Sequence, residues 1–292
     1  MPGSSWRDRV DAFQQRHVTL AFPFAVNKRF SDDRGRHYAA LISYYGFFSL
    51  FPLLLAFVAL LGVVLHGRPN LQQDIIDSAL GRFPVIGADL AKPGTLSGNG
   101  WALAFGLAAA IWAGLGVIYA AQDAMDTMWD VPRHGRPNFV AKRLRALAML
   151  GVVGAGTVAG SAVAGISTQL ANLALVARIA TVFGTAVINI VALLVGYRLL
   201  TTADLKWRTV LPGSVVGGIV LVGLQVIGGW YLTRVVSKAG DTYGAFAGII
   251  GLLTWLALQA RIVLYASEIN VVLARRLWPR TMGKDDPLAK PI

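Results

Sequence analysis

Arg261 and Glu268 are the only charged side chains between Thr242 and Ala274. Seven helical residues make two turns, about 10.5 Å, so the two share a face. A charge held in hydrocarbon is costly, and ionisable residues inside spans mark substrate pathways or buried partners. Arg261 is therefore a candidate contact for an anionic headgroup, with Glu268 its companion through a water or another helix. The competing reading is snorkelling of Arg261 to the headgroup layer, or pairing within the bundle. Gln259, two residues earlier, points elsewhere. Tyr44, Tyr45, Ser49, Asn189 and Gln225 are polar groups in other apolar runs that can face the same interior or bond between helices. Pro52 removes a backbone bond midway through its run, making it a kink or gate candidate.

Other chemistry is thinly supplied. Asp123, Asp126 and Asp130 fall on one helical face, but nothing at recognisable spacing completes a Mg²⁺ or Ca²⁺ site. Salt bridges to Arg133, Arg136 or Arg143 are the better expectation, and no metal is assigned. His17, His37, His66 and His134 are scattered over three connections, which offers no general base and acid for hydrolysis of RNA. The chain has no cysteine, excluding disulfides, thiolate metal sites and a Cys nucleophile. No Gly-rich loop ending in Lys-Ser/Thr is present. The expectation is a non-enzyme without cofactors.

The elements that position these residues are six charge-free runs: Tyr38 to Leu65, Gly100 to Gln122, Ala146 to Ala177, Ile179 to Tyr197, Thr209 to Thr233 and Thr242 to Ala260. Each reaches, within a residue, the roughly 20 residues that cross a hydrocarbon core, and runs this long and continuous are helices, not barrel strands. The fold class is all-α, a polytopic membrane protein with six transmembrane helices. Trp6, Val10, Phe13, Leu20 and Phe24 predict an amphipathic basic helix on the inner leaflet, disturbed at Pro23. Leu71, Ile75, Ala79, Phe83 and Ile86 predict a lateral external helix in the first loop. The organisation is a basic segment over 1–37, a six-helix domain over 38–277 and a flexible cytoplasmic tail over 278–292. Residues 1–37 are too polar for a signal peptide, so the first span is expected to serve as an uncleaved insertion signal.

Small residues recur at four-residue spacing, at Gly156 and Gly160, Gly213 and Gly217, and Gly244 and Gly248. Such strips let helix backbones approach closely, within one chain or between two.

Of the 27 Lys and Arg residues, 20 lie before the first run, in the second and fourth connections and in the tail; six lie in the other connections and Arg261 lies within a helix. Short cytoplasmic connections carry the basic excess, so both termini are expected inside. The net charge of +12 is spread over these four flanking segments. That distribution suits anionic lipid headgroups, at about 1 kcal/mol per residue near the surface, and not nucleic acid.

Four ordered blocks resemble the YihY/BrkB family of bacterial envelope membrane proteins. They are AALISYYGFFSLFPLLLAFVALLG (Ala39 to Gly62), MWDVPRHGRPNFVAKRLRAL (Met128 to Leu147), LKWRTVLPGSVVGG (Leu205 to Gly218) and YGAFAGIIGLLTWLALQARIVLYASEINVVLARR (Tyr243 to Arg276). The resemblance covers roughly residues 30 to 278, and within the family the chain looks most like the YhjD branch. It implies a six-helix inner-membrane protein with both ends inside. Tyr45, Ser49, Pro52, Trp129, Glu268 and Asn270 match the family pattern, which has no agreed catalytic motif; an older ribonuclease label is regarded as mistaken.

The function expected is a transporter or flippase for a lipid or lipid-linked envelope component that does not itself hydrolyse ATP. The alternative is a scaffold that holds envelope machinery; an ion or small-solute channel and a membrane-bound ribonuclease are lesser alternatives.

Overall fold

Among the described residues the charge-free runs are helical throughout, as they must be when lipid offers no partner for N–H and C=O groups. The computed structural model describes residues 16–64, 100–169, 174–231 and 245–281, together with Asp11 and Phe13. Its helices are α1 (Val18–Asp32), α2 (Gly35–Val64), α3 (Gly100–Met128), α4 (Phe139–Gln169), α5 (Ala174–Leu200), α6 (Trp207–Tyr231) and α7 (Ala245–Arg275). No strand occurs among the described residues. The lateral helix expected over Leu71 to Ile86, and Trp6 and Val10 of the amino-terminal one, lie outside the described residues.

Helices α2 to α7 are 25 to 31 residues long. At 1.5 Å per residue even the shortest extends about 37 Å, more than the roughly 30 Å of a hydrocarbon core. Among the described residues four stretches, Ala104–Met128, Leu175–Leu200, Trp207–Gly228 and Gly248–Arg275, are long and apolar enough to cross a membrane, and at most 39% of any such window is buried within the protein. Trp101, Phe105, Trp112 and Phe183 are among the most exposed large side chains. Apolar surface of this extent is stable only against an apolar surrounding.

The helices outrun the charge-free runs that announced them. α4 starts at Phe139, so Lys142, Arg143 and Arg145 occupy its first two turns, after Asn138 caps it by accepting the Ala141 N–H at 3.0 Å. α7 passes through Arg261 and Glu268 to Arg275. The run Ala146 to Ala177 is divided between α4 and α5, and Arg178 lies inside α5, not in a connection. Charge interrupts a hydropathy pattern without interrupting a helix, and the α4–α5 connection contains no charge to mark it.

The chain forms two compact units: one of residues 1–39, 121–223 and 260–292, the other of 40–120 and 224–259. In the first, α4 and α5 pack side by side. α1, which continues through Pro23, buries Ala25 and Val26 against Val272 of α7, flanked by Phe22, Ile269, Leu277 and Trp278. The Phe30 ring stacks on Tyr265 at 3.9 Å, and Phe22 meets Trp278 edge-on at 5.7 Å. In the second unit Tyr44, Phe48, Phe47 and Phe51 form an aromatic ladder along α2, and the Trp255 ring lies over Gly228.

Candidate functional site

Ser267, Glu268 and Asn270, consecutive polar positions broken only by Ile269, are all fully buried in the first unit. Of these, Asn270 sits where α7 meets α6 through glycine. A Cβ on Gly213 would lie 2.0 Å from the Ala266 carbonyl oxygen, and one on Gly217 would lie 2.6 Å from the Ala266 Cβ. On the neighbouring position of α6, a Cβ on Gly218 would lie 2.5 Å from Ile190 Cγ1 of α5. The small-residue strip thus brings backbone against backbone.

Pro212 lies within α6 and has no N–H for the carbonyl one turn back. At the next residue the Gly213 N–H donates to Asn270 Oδ1 at 2.7 Å, a buried bond between the two helices. Nearby, the Tyr197 hydroxyl donates to the Val263 carbonyl at 2.7 Å, and the Ser214 hydroxyl returns to Val210 of its own helix. Each satisfies a hydroxyl that would otherwise be costly away from water.

A second polar assembly surrounds the end of α3. That helix closes with the Val131 N–H bonding the Asp126 carbonyl at 2.8 Å and the Asp130 N–H bonding the Thr127 carbonyl at 3.2 Å. This cap needs a left-handed residue, and Asp130 supplies it at φ 54°. The turn aims its carboxylate at Arg29, 2.5 Å away, and at Arg275. Arg29, 3% exposed, also pairs with Asp33 at 3.1 Å, and the Asp130 carboxylate that it shares with Arg275 ties the ends of α1, α3 and α7 together. Asp123 pairs with Lys142 at 2.8 Å and Arg136 at 3.6 Å. Asp126 accepts from the Thr202 N–H at 2.7 Å and from its hydroxyl at 3.0 Å. The three aspartates are thus used in ion pairs and backbone anchoring. Among the described residues no group of three His, Asp or Glu side chains is placed to hold a metal.

Residues 26–289 match the family described as Virulence factor BrkB. The chain belongs to this family. It is 36% identical over 78 residues to Inner membrane protein YhjD of Escherichia coli (strain K12), a match covering 26% of the chain and 23% of YhjD. It is 24% identical over 292 aligned residues to Putative ribonuclease-like protein YfkH of Bacillus subtilis (strain 168), covering 88% of the chain and 96% of YfkH. No solved structure matches it.

The residues singled out in this BrkB-family protein are divided between the two units. Glu268, Asn270, Asn189 and Arg261 belong to the first unit; Tyr44, Tyr45, Ser49, Pro52, Gln225 and Gln259 belong to the second. Arg261 is exposed while Glu268 is fully buried, so the shared face passes from open to enclosed within two turns. Asn189 is half-buried, and its Nδ2 has no partner among the described residues. In the second unit Tyr44 and Tyr45 are 54% and 41% exposed, and Gln225 is exposed. Gln259 and Pro52 are half-buried, and the Ser49 hydroxyl donates to the Gly46 carbonyl of its own helix at 2.7 Å.

Sequence reasoning passed over Arg29 and Arg280. Arg280 is fully buried and pairs with Asp32 at 2.9 Å, while Lys28 donates to the Thr281 carbonyl, so the chain after α7 is held on α1 as far as Thr281. The i,i+4 spacing of Arg29 and Asp33 was a readable signal; Arg280, in a polar stretch, gave none. The expected partners Arg136 and Arg143 divide: Arg136 pairs, whereas Arg143 lies over the Phe139 ring at 5.4 Å.

Proposed function

We propose that this BrkB-family protein moves a lipid or lipid-linked envelope component across the inner membrane, as a six-span bundle with both termini in the cytoplasm. The reading takes the inner membrane from the name of YhjD, and the spans from the lengths of α2 to α7. Energy comes from a gradient, a partner protein or the substrate's own concentration difference.

One observation carries it. Glu268 is fully buried in a helix apolar enough to cross a membrane. A carboxylate there costs several kcal/mol unless compensated. Packing alone would be served better by an apolar residue of similar volume, so the acid is read as functional. Arg261, on the same helical face and exposed, is placed to meet an anionic headgroup approaching from outside the protein.

The test is transbilayer movement of fluorescent phospholipids in proteoliposomes, with and without a proton gradient, for the wild type, Glu268→Gln and Arg261→Gln. Gln preserves the shape of Glu268 and removes its charge. Movement that falls at least tenfold in either variant, while the melting temperature stays within about 3 °C, supports transport; a ~1 kcal/mol destabilisation shifts a chain of this size by roughly that much. Movement unaffected by both substitutions refutes the assignment of these residues. No movement by well-folded wild type favours a scaffold, for which the interlocked α1, α3 and α7 ends are the structural argument.

A further inference from the structure

A small pocket, open to solvent at its mouth, lies in the first unit among the end of α3, the start of α4 and the end of α5. Its polar lining is Gln122, Asp123, Asp126, Arg136, Lys142 and Arg145. Three cations face two carboxylates, and the carboxylates are already committed. Asp126 anchors the Thr202 N–H and hydroxyl. Asp123 is shared by Lys142 and Arg136.

Among the described residues Arg145 has one long bond, 3.5 Å to the Thr201 carbonyl, and no ion pair. Arg136 pairs through Nη1 and donates from Nη2 to Thr127 Oγ1 at 3.3 Å, but its buried Nε has no acceptor. An uncommitted guanidinium and an orphaned buried guanidinium N–H in one concavity ask for an anion with several acceptor oxygens. Gln122 is 3% exposed; its Nε2 donates to the Lys142 carbonyl at 3.2 Å, while Oε1 is buried without a donor. That oxygen asks for a hydroxyl or ammonium beside the anion.

We propose that this pocket binds a phosphate group carrying a neighbouring hydroxyl or amine, with Arg145 and Arg136 on the phosphate oxygens and Gln122 on the adjacent donor. The pocket lies at the junction of apolar helices with their polar connections, where the membrane reading puts headgroups and not acyl chains. Phospholipid headgroups and soluble phosphates share this chemistry. The inference rests on the membrane reading of the chain and is independent of whether the protein transports anything.

The test is native mass spectrometry of the full chain released from nanodiscs of phosphatidylcholine containing phosphatidylglycerol or phosphatidylethanolamine, with inorganic phosphate and glycerol phosphate as competitors. Retention of a phosphatidylglycerol or phosphatidylethanolamine molecule over phosphatidylcholine, weakened about tenfold in Arg145→Gln as expected for one lost charge-assisted contact, supports a lipid source. Thermal stabilisation of the wild type by millimolar glycerol phosphate, without lipid retention, supports a soluble source. Arg143→Gln, which alters the cation over Phe139 and not the pocket, is expected to retain lipid as the wild type does. Equal loss in Arg143→Gln and Arg145→Gln would reduce the effect to general surface charge and overturn the site. If Arg145→Gln fails to fold, competition by glycerol phosphate on the wild type decides. No lipid preference together with no phosphate effect also overturns it.

Discussion

Gly213→Ala is the sharpest test of how α6 and α7 are held together. The new Cβ would stand 2.0 Å from the Ala266 carbonyl oxygen and 2.6 Å from Asn270 Nδ2. An ordinary carbon–oxygen contact is at least about 3.3 Å, so the helices must part locally by about 1.3 Å. The obstacle is backbone, which cannot rotate aside as a side chain does. Overpacking of this kind costs about 1–3 kcal/mol. Parting also breaks the 2.7 Å bond from the Gly213 N–H to Asn270, worth about 1 kcal/mol. Against this, alanine gains up to about 1 kcal/mol of helix propensity. The net expectation is about 2 kcal/mol of destabilisation, read from the folded fraction in mixed micelles as denaturing detergent is raised. Gly151→Ala is the control: nothing lies within 4 Å of its added Cβ, and it should be neutral or slightly stabilising. Equal behaviour of the two variants would refute the idea that close backbone approach at Gly213 fixes this contact.

Arg280→Met keeps the buried volume and removes the pair with Asp32; it should cost about 2 kcal/mol in the same unfolding assay, and Asp32→Asn in the same chain should restore part of the loss. Orientation is testable cleanly because the chain has no cysteine. Leu175 and Asp204 are both exposed and lie near opposite ends of α5, whose 27 residues extend about 40 Å. An impermeant thiol reagent added to spheroplasts should label Leu175→Cys and not Asp204→Cys; the reverse pattern would invert the proposed orientation, and equal labelling would mean that α5 does not cross.

The helices were legible because hydropathy over twenty residues averages out local detail. Their ends were not, because they depend on capping at particular residues. Asn138 starts α4 seven residues before the apolar run begins, and a carboxylate at left-handed φ, Asp130, ends α3 where a glycine would have announced a stop. The strip of Gly213 and Gly217 was legible as a close contact and is one. Gly156 and Gly160 carry the same spacing, yet added Cβ atoms there would meet Ile188 at 3.8 Å and open space respectively. Spacing reports which helix face is smooth and not whether another helix occupies it. The site candidates were chosen for polarity within apolar runs, a criterion blind to partners far along the chain. Asn270 shows this: its acceptor role depends on Pro212 and Gly213, 57 residues away.

That bond also separates the roles of two neighbours on α7. The burial of Asn270 is accounted for by the Gly213 N–H it receives at an interrupted helix. Glu268, two residues earlier, is turned about 200° around the axis, so its burial has a different cause from the α6–α7 contact. An amide supplies hydrogen bonding in a span at much lower cost than a carboxylate, and this helix already uses one at position 270. If position 268 needs only a hydrogen bond, glutamine will serve it; loss of function in Glu268→Gln would show that the charge, or the ability to change it, matters there. Glu268→Gln therefore tests the proposed transport, whereas Asn270→Ala removes the acceptor of the Gly213 N–H and tests the α6–α7 contact.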